Sequence, residues 1–395
     1  MSISLEDYSW LVSAAAGKWL SEAGSTQQDL VGLTRLLRKD LSQSRAHLVL
    51  QQVELRRRAR AKFAQADRMF FTPTSLEQST DEPIAKYKSG KFPRDHAVAD
   101  LCCGIGGDLL ALGGRTATTG VDAGAEVALL AAENCRRLGL STTSVRCGEA
   151  TEFPLESVGA WHIDPDRRPD GSRTSQLAFG SPDGEAIARM LSRQETAAIK
   201  LAPAATWPQE WDVANTFEWI QSRGECRQQV AWLGEFADHR RVIATVVDAD
   251  GVAASFDGDT ATASVVASRV GRFCYEPAAA VIAAHLTDAL AAHCDCQRVA
   301  HQIAYLTSDN EVRHPLLSAF EVLDCLPFDH KQLRGYFRQH GIGHLEVKKR
   351  GVPCNPAQLQ KQLAAKHGEA AATLIISPQG TSTMALVAKR LTSTR

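Results

Sequence analysis

Residues 97–122, AVADLCCGIGGDLLALGGRTATTGVD, constrain the fold more than any other stretch of this 395-residue chain. An apolar run ends in Asp100, and a glycine loop follows with Gly104, Gly106 and Gly107. A helix-compatible stretch comes next, then a second apolar run ending in Asp122. The pattern is a strand-loop-helix-strand unit with an acid at each strand end. Glycines there let the backbone turn tightly beside a ligand, and an acid at the second strand end can hold both hydroxyls of a ribose. The unit therefore points to an α/β domain that receives a nucleoside.

The loop also narrows the choice of nucleoside. A dinucleotide site uses G-x-G-x-x-G with a pyrophosphate at the helix N-terminus. Here Asp108 follows Gly106 and Gly107 and stands where that anion would lie. Asp100 and Asp108 suit a ligand with cationic groups instead. S-adenosyl-L-methionine carries an ammonium and a sulfonium and no phosphate. The expected cofactor residues of the loop are Asp100, Cys102, Gly104, Gly106 and Asp108, with Asp122 on the ribose.

Beyond Asp122 the α/β alternation continues. The spacing predicts a helix over 124–138 and strands near 144–147, 160–163, 197–201, 228–233 and 241–247. The last two lack a long helix between them and suit an antiparallel end. Together these make a seven-stranded, Rossmann-like sheet ending near residue 270. Ahead of it, residues 5–70 read as helical, with Thr72, Pro73, Thr74 and Ser75 as a break. Ser79 to Glu82 offer a capping box before Pro83 and a helix over about 81–88. After the sheet come an alanine-rich helix over 278–293 and a short strand at 302–306. The last segment reads helix (330–340), strand (342–349), helix (356–366), strand (373–377) and strand (383–389). The expected division is a helical region over 1–75, a catalytic domain over 76–271, and two small α+β modules over 272–325 and 326–395.

Charge is distributed unevenly although the net value is only −1. Residues 31–62 hold nine Lys/Arg against two acids, and residues 331–395 hold eleven against two. Two basic ends on an acidic body suit a polyanionic partner, and two solvated faces would look the same. Lys348, Lys349 and Arg350 form the densest basic point of the last module. No run of eighteen apolar residues exists, so no membrane span is expected. The start, MSISLEDYSW, lacks a basic n-region, and the ten scattered cysteines suit reduced thiols, so a cytoplasmic setting is expected. His293-Cys294-Asp295-Cys296 lacks a second knuckle, and no structural metal is expected.

The segments LEQSTDEPIAKYKSGKF (76–92), DLCCGIGGD (100–108), HIDPDRR (162–168), YEP (275–277) and LEVKKRG (345–351) are together similar to the bacterial class I methyltransferases with a THUMP-like C-terminal domain. The resemblance covers most of residues 60–390, and the segment before the glycine loop also resembles the trimethylguanosine synthase family. It implies a ferredoxin-like region near 272–325 and a THUMP-like module near 326–392. It further implies that Gln78, Ser79 and Thr80 line the methionine end of the cofactor and that Glu149 meets the adenine amine, although a helix cap accounts equally for Ser79 and Thr80 and a helix N-terminal acid for Glu149.

In such enzymes acting on amines, an Asp/Asn-Pro-Pro-aromatic sequence follows the fourth strand, and its polar oxygen orients the target nitrogen. Here Asp164-Pro165 is kept, while Asp166 and Arg167 replace the second proline and the aromatic. Asp164, with Asp166 in reserve, is the expected orienting group. Arg167 can stack on a base, and Arg168 can pair with a phosphate. Alternatively, both arginines only shape the loop. THUMP domains elsewhere deliver RNA to modifying enzymes, so the implied partner is RNA (tRNA or rRNA). The expected function is methylation of a base nitrogen in structured RNA. Methylation of a protein or small molecule, and a non-catalytic RNA-binding role with a retained cofactor, stay open at this point.

Overall fold

Helix caps fix where the first elements begin. A computed structural model describes the chain except residues 1–2, 26–29, 167–180, 207–214, 239–240, 381 and 392–395. The N-terminal region holds α1 (Leu5–Val12), α2 (Ala14–Ser25), α3 (Leu30–Leu37) and α4 (Gln43–Ala59). Ser4 closes a capping box on α1, and Ser42 accepts from the Arg45 amide to start α4. Thr72 and Pro73 do more than break a helix. Thr72 caps a new one, α5 (Pro73–Gln78), through a reciprocal contact with Ser75. The cap of α6 (Glu82–Ser89) is Asp81, which accepts from the Ile84 amide, and not a Ser79 box. Asp81 stands directly before Glu82 and Pro83 of the first turn, and its carboxylate also meets the positive end of the helix.

The sheet follows, with β1 (Val98–Leu101), α7 (Leu109–Gly113), β2 (Thr118–Asp122), α8 (Ala125–Arg137), β3 (Thr143–Cys147), β4 (Ala160–Ile163), α9 (Gly184–Leu191) and β5 (Ala197–Leu201). Then come β6 (Thr216–Ser222), β7 (Glu225–Trp232), β8 (Val242–Val247) and β9 (Ala253–Gly258). The strand order β3-β2-β1-β4-β5-β7 is parallel up to β5 and antiparallel between β5 and β7. β1 and β4 are buried along their whole length, as expected of parallel strands covered on both faces. This is a Rossmann-like α/β domain. β6 and β9 are two strands the sequence pattern did not reveal, because polar residues such as Glu218, Gln221 and Asp257 interrupt their apolar runs.

The chain forms two compact units, one holding Met1–Phe217, Arg227–Arg240 and Val247–Ala253, and the other holding the remainder. In the first unit, two buried amides tie the helical region to the glycine loop. Gln52 pairs with both the amide and the carbonyl of Phe71, and Asn134 does the same for Phe70 while also donating to Ile105 O. Buried amides whose donors and acceptors are both used fix one register.

The second unit continues with β10 (Phe273–Pro277), α10 (Ala279–Ala283), α11 (Thr287–His293), β11 (Gln297–Arg298), β12 (Leu306–Ser308), β13 (Leu317–Pro327), α12 (His330–Gln339), β14 (Ile342–Lys349), α13 (Pro356–Leu363), β15 (Ala370–Gln379) and β16 (Ser382–Arg390). Its sheet runs β11-β12-β10-β13-β16-β15-β14. The expected 278–293 helix is two, parted where His285 takes a positive φ of 57°. The strand expected at 302–306 begins later, at Leu306, after a turn in which Gln302 has φ of 58°. No helix among the described residues is long and apolar enough to cross a membrane.

Candidate active site

Four parallel strands of the first unit present their carboxyl ends along one edge, where open α/β sheets bind ligands. Asp100 lies in β1, Asp122 ends β2, Asp164 follows β4 and Lys200 lies in β5. The glycine loop leaves β1 through Cys102, whose φ of 55° is a left-handed conformation that a non-glycine residue rarely adopts. Gly106, at φ 96°, is tolerable only without a side chain. A Cβ on Gly107 would lie 3.0 Å from the Thr80 amide nitrogen and 3.1 Å from its carbonyl oxygen. The absence of that carbon lets the segment before α6 lie directly against the loop.

Asp122 is held from both sides. The Gly104 amide donates to its Oδ2 at 2.9 Å and the Gly124 amide to its Oδ1 at 3.0 Å. Burial pushes the carboxyl upward, and the two amides work against that shift. Each oxygen keeps a further lone pair, enough for two ribose hydroxyls. A Cβ on Gly104 would meet nothing within 4 Å, so the backbone beside Asp122 faces open space. The donor set and the open cradle fit a ribose. Glu149 is exposed just after β3 and caps nothing with its side chain.

Beneath that edge runs a chain of buried charges. Lys88 Nζ lies 2.8 Å from Asp108 Oδ1 and 3.1 Å from His162 Nε2. A lysine ammonium has only donors, so His162 Nε2 accepts and the hydrogen on Nδ1 is donated to Asp100 Oδ1, 2.7 Å away. Asp100 is 1% exposed, and its second oxygen has no partner among the described residues. Burial raises the Asp100 carboxyl, against the pull of His162. Burial acts on Asp108 in the same direction, but the Lys88 and Lys200 ammonium groups outweigh it and hold the carboxyl well below the ordinary range. Burial likewise lowers Lys88, against the attraction of Asp108.

The chain continues towards the loop after β4. Thr80 Oγ1 donates to Asp108 Oδ2 at 2.6 Å and accepts from Lys200 Nζ at 3.1 Å. Lys200 also reaches Asp164 Oδ2 at 2.5 Å and Gln78 O at 3.5 Å. Gln78 Nε2 donates to Asp166 Oδ1 at 3.3 Å, and Asp166 forms a backbone bridge with Ser181. The structure thus brings together Thr80, Asp100, Asp108, Asp164 and Asp166. Arg167 and Arg168 lie outside the described residues.

Three residues of this chain escaped the sequence reading: Lys88, His162 and Lys200. An unpaired lysine inside an otherwise apolar strand, AAIKL, was the one available signal for Lys200. In the second unit, Lys348 and Arg350 meet Glu276 at 2.6 and 3.3 Å, and Lys349 donates to Val352 O at 3.1 Å. His293 packs its ring against His314 and Phe256, and no group of His, Cys, Asp or Glu among the described residues is arranged to hold a metal ion.

Residues 317–390 match the THUMP domain-like family. The chain is 27% identical over 341 residues to an uncharacterised S-adenosylmethionine-dependent methyltransferase of Mycobacterium tuberculosis, found in two strains. That match covers 84% of this chain and 92% of the relative. A crystal structure from Porphyromonas gingivalis W83, of a protein assigned as a methyltransferase, superposes with a TM-score of 0.77 at 18% identity. It covers 98% of this chain and 97% of its own, and shows that the fold is shared from end to end. The chain is thus a homologue, by sequence, of an S-adenosylmethionine-dependent methyltransferase, and carries a THUMP-like domain over residues 317–390.

Proposed function

We propose that the protein transfers the methyl group of S-adenosyl-L-methionine to a base nitrogen in structured RNA. The observation that carries this reading is the placement of Asp164 on the strand edge that also bears Asp122, with its Oδ2 held by Lys200 at 2.5 Å. When bound, the cofactor supplies an electrophilic methyl carbon on a sulfonium. Asp122 and the Gly104 backbone hold the ribose, and Thr80 and Asp108 border the methionine end. Asp164 accepts an N–H of the acceptor with its remaining oxygen and aims the nitrogen. The nitrogen–carbon bond forms as the carbon–sulfur bond breaks, and the proton leaves to Asp164 or water. The residues contribute mainly positioning and exclusion of water. The THUMP-like match and the basic balance of residues 331–395 support RNA as the acceptor class.

The test is transfer of labelled methyl from S-adenosylmethionine to total RNA from cells lacking the protein. Label in RNA with wild type, and about 100-fold less with Asp164→Ala at unchanged cofactor affinity, is the expected result. Label confined to protein would refute RNA as the acceptor.

A further inference from the structure

The positive charge of the THUMP-like module is divided into two kinds. Lys348 and Arg350 end on Glu276, and Arg390 lies 2.8 Å from Glu346. These three cations are paired within the fold, sharing two carboxylates. The cations on the helices are not. Lys331, Arg334 and Arg338 on α12, Lys361 on α13 and Lys366 just beyond it are exposed, and none enters an ion pair with a described residue. No acid occurs between Asp329 and Glu346, nor between Glu346 and Glu369. Asp329 itself is turned to the α12 N-terminus, accepting from Gln332 N at 2.8 Å.

Geometry makes this one face. Lys331, Arg334 and Arg338 recur at three and four residues, which places them on one stripe about 10 Å long. Leu333 and Phe337 turn the other way and are fully buried. Arg334 Nε donates to Gln362 O at 3.2 Å and so ties the stripe to α13.

We infer that the α12–α13 face is the docking surface for the sugar-phosphate backbone of the RNA. The inference rests on the RNA reading above and adds where the RNA is held. An ordinary solvated face mixes both signs of charge, and this one holds a single sign. A protein partner would need an apolar anchor. The exposed large hydrophobic residues among those described are Leu5, Leu36, Val252, Val265, Val266 and Leu323, and none lies on α12 or α13. A polyanionic backbone needs only the cations.

The experiment measures binding of a fluorescent RNA hairpin to the full chain by anisotropy between 50 and 200 mM salt. Wild type is compared with Lys331→Glu/Arg338→Glu/Lys361→Glu, and S-adenosylhomocysteine affinity monitors the integrity of the first unit. The triple variant should bind RNA at least about 10-fold more weakly, with a log K against log salt slope shallower by about two to three. Its cofactor affinity should stay within twofold. RNA binding within twofold of wild type at unchanged slope overturns the inference. Heparin should displace the hairpin, since the face reads charge and not sequence, and a hairpin left bound at saturating heparin also overturns the inference. Methyl transfer to RNA by wild type, with the triple variant unimpaired, would sink the docking face and leave the proposed reaction standing. Hairpin binding lost in the triple variant, with no methylation of any RNA by wild type, would do the reverse.

Discussion

At the scale of single residues, the site is a buried line of charge in which each member depends on the next. Lys88→Met leaves Asp108 and His162 without their shared donor, and breaking a buried pair on one side costs about 3–5 kcal/mol. Denaturant melts should show that loss directly. The two buried acids have opposite linkage signs. The Asp108 carboxyl is lowered in the fold, so its contribution is present above the ordinary carboxylate range and is lost as pH falls through the folded value. The Asp100 carboxyl is raised, so its contribution is present at low pH and is lost as pH rises through the folded value. Melts from pH 3 to 7 should therefore show Asp108→Asn flattening the acid-side loss of stability and Asp100→Asn steepening it. Equal slopes in both variants would contradict this assignment. Asp122→Ala removes the acceptor of two backbone amides, and charged acceptors contribute about 1.5–3 kcal/mol. Calorimetry with S-adenosylhomocysteine should show affinity weakened at least about 10-fold.

At the scale of elements, the sheet edge is fixed by a few close approaches. Gly107→Ala would press a carbon against the Thr80 backbone, and overpacking of this kind costs about 1–3 kcal/mol. In the proposed site Thr80 borders the cofactor, so the variant should lose cofactor affinity along with stability. Gly343→Ala in β14 would drive a carbon into the Gly368 carbonyl and should destabilise only the second unit, leaving cofactor binding intact. Thermal melts with and without S-adenosylhomocysteine separate the two cases. Strands β4 and β5 were legible in the sequence because each is a short apolar run with a single polar residue, His162 or Lys200. β13 was not, since Glu321, Asp324 and Cys325 alternate with apolar residues on a strand that is exposed on one face. The division of the alanine-rich helix at His285 was equally hidden, because no glycine or proline marks that turn.

At the scale of the whole molecule, the sequence carried the donor side of the reaction better than the acceptor side. The glycine loop and Asp122 could be read because close backbone approach demands particular residue types at fixed spacing. Lys88, His162 and Lys200 could not, because their partnerships join residues up to 122 positions apart through packing alone. Charge counting singled out the basic last module, but only ion-pair geometry separates its paired cations from those without an ion pair among the described residues. The central claim is methyl transfer to RNA at the Asp164 edge. It is tested most directly by mass spectrometry of nucleosides from RNA of cells lacking the protein, after incubation with deuterated-methyl S-adenosylmethionine. The account predicts one deuterium-labelled methylated base with wild type and its loss with Asp164→Ala. A full set of RNA nucleosides without label, or equal label with both proteins, would contradict it.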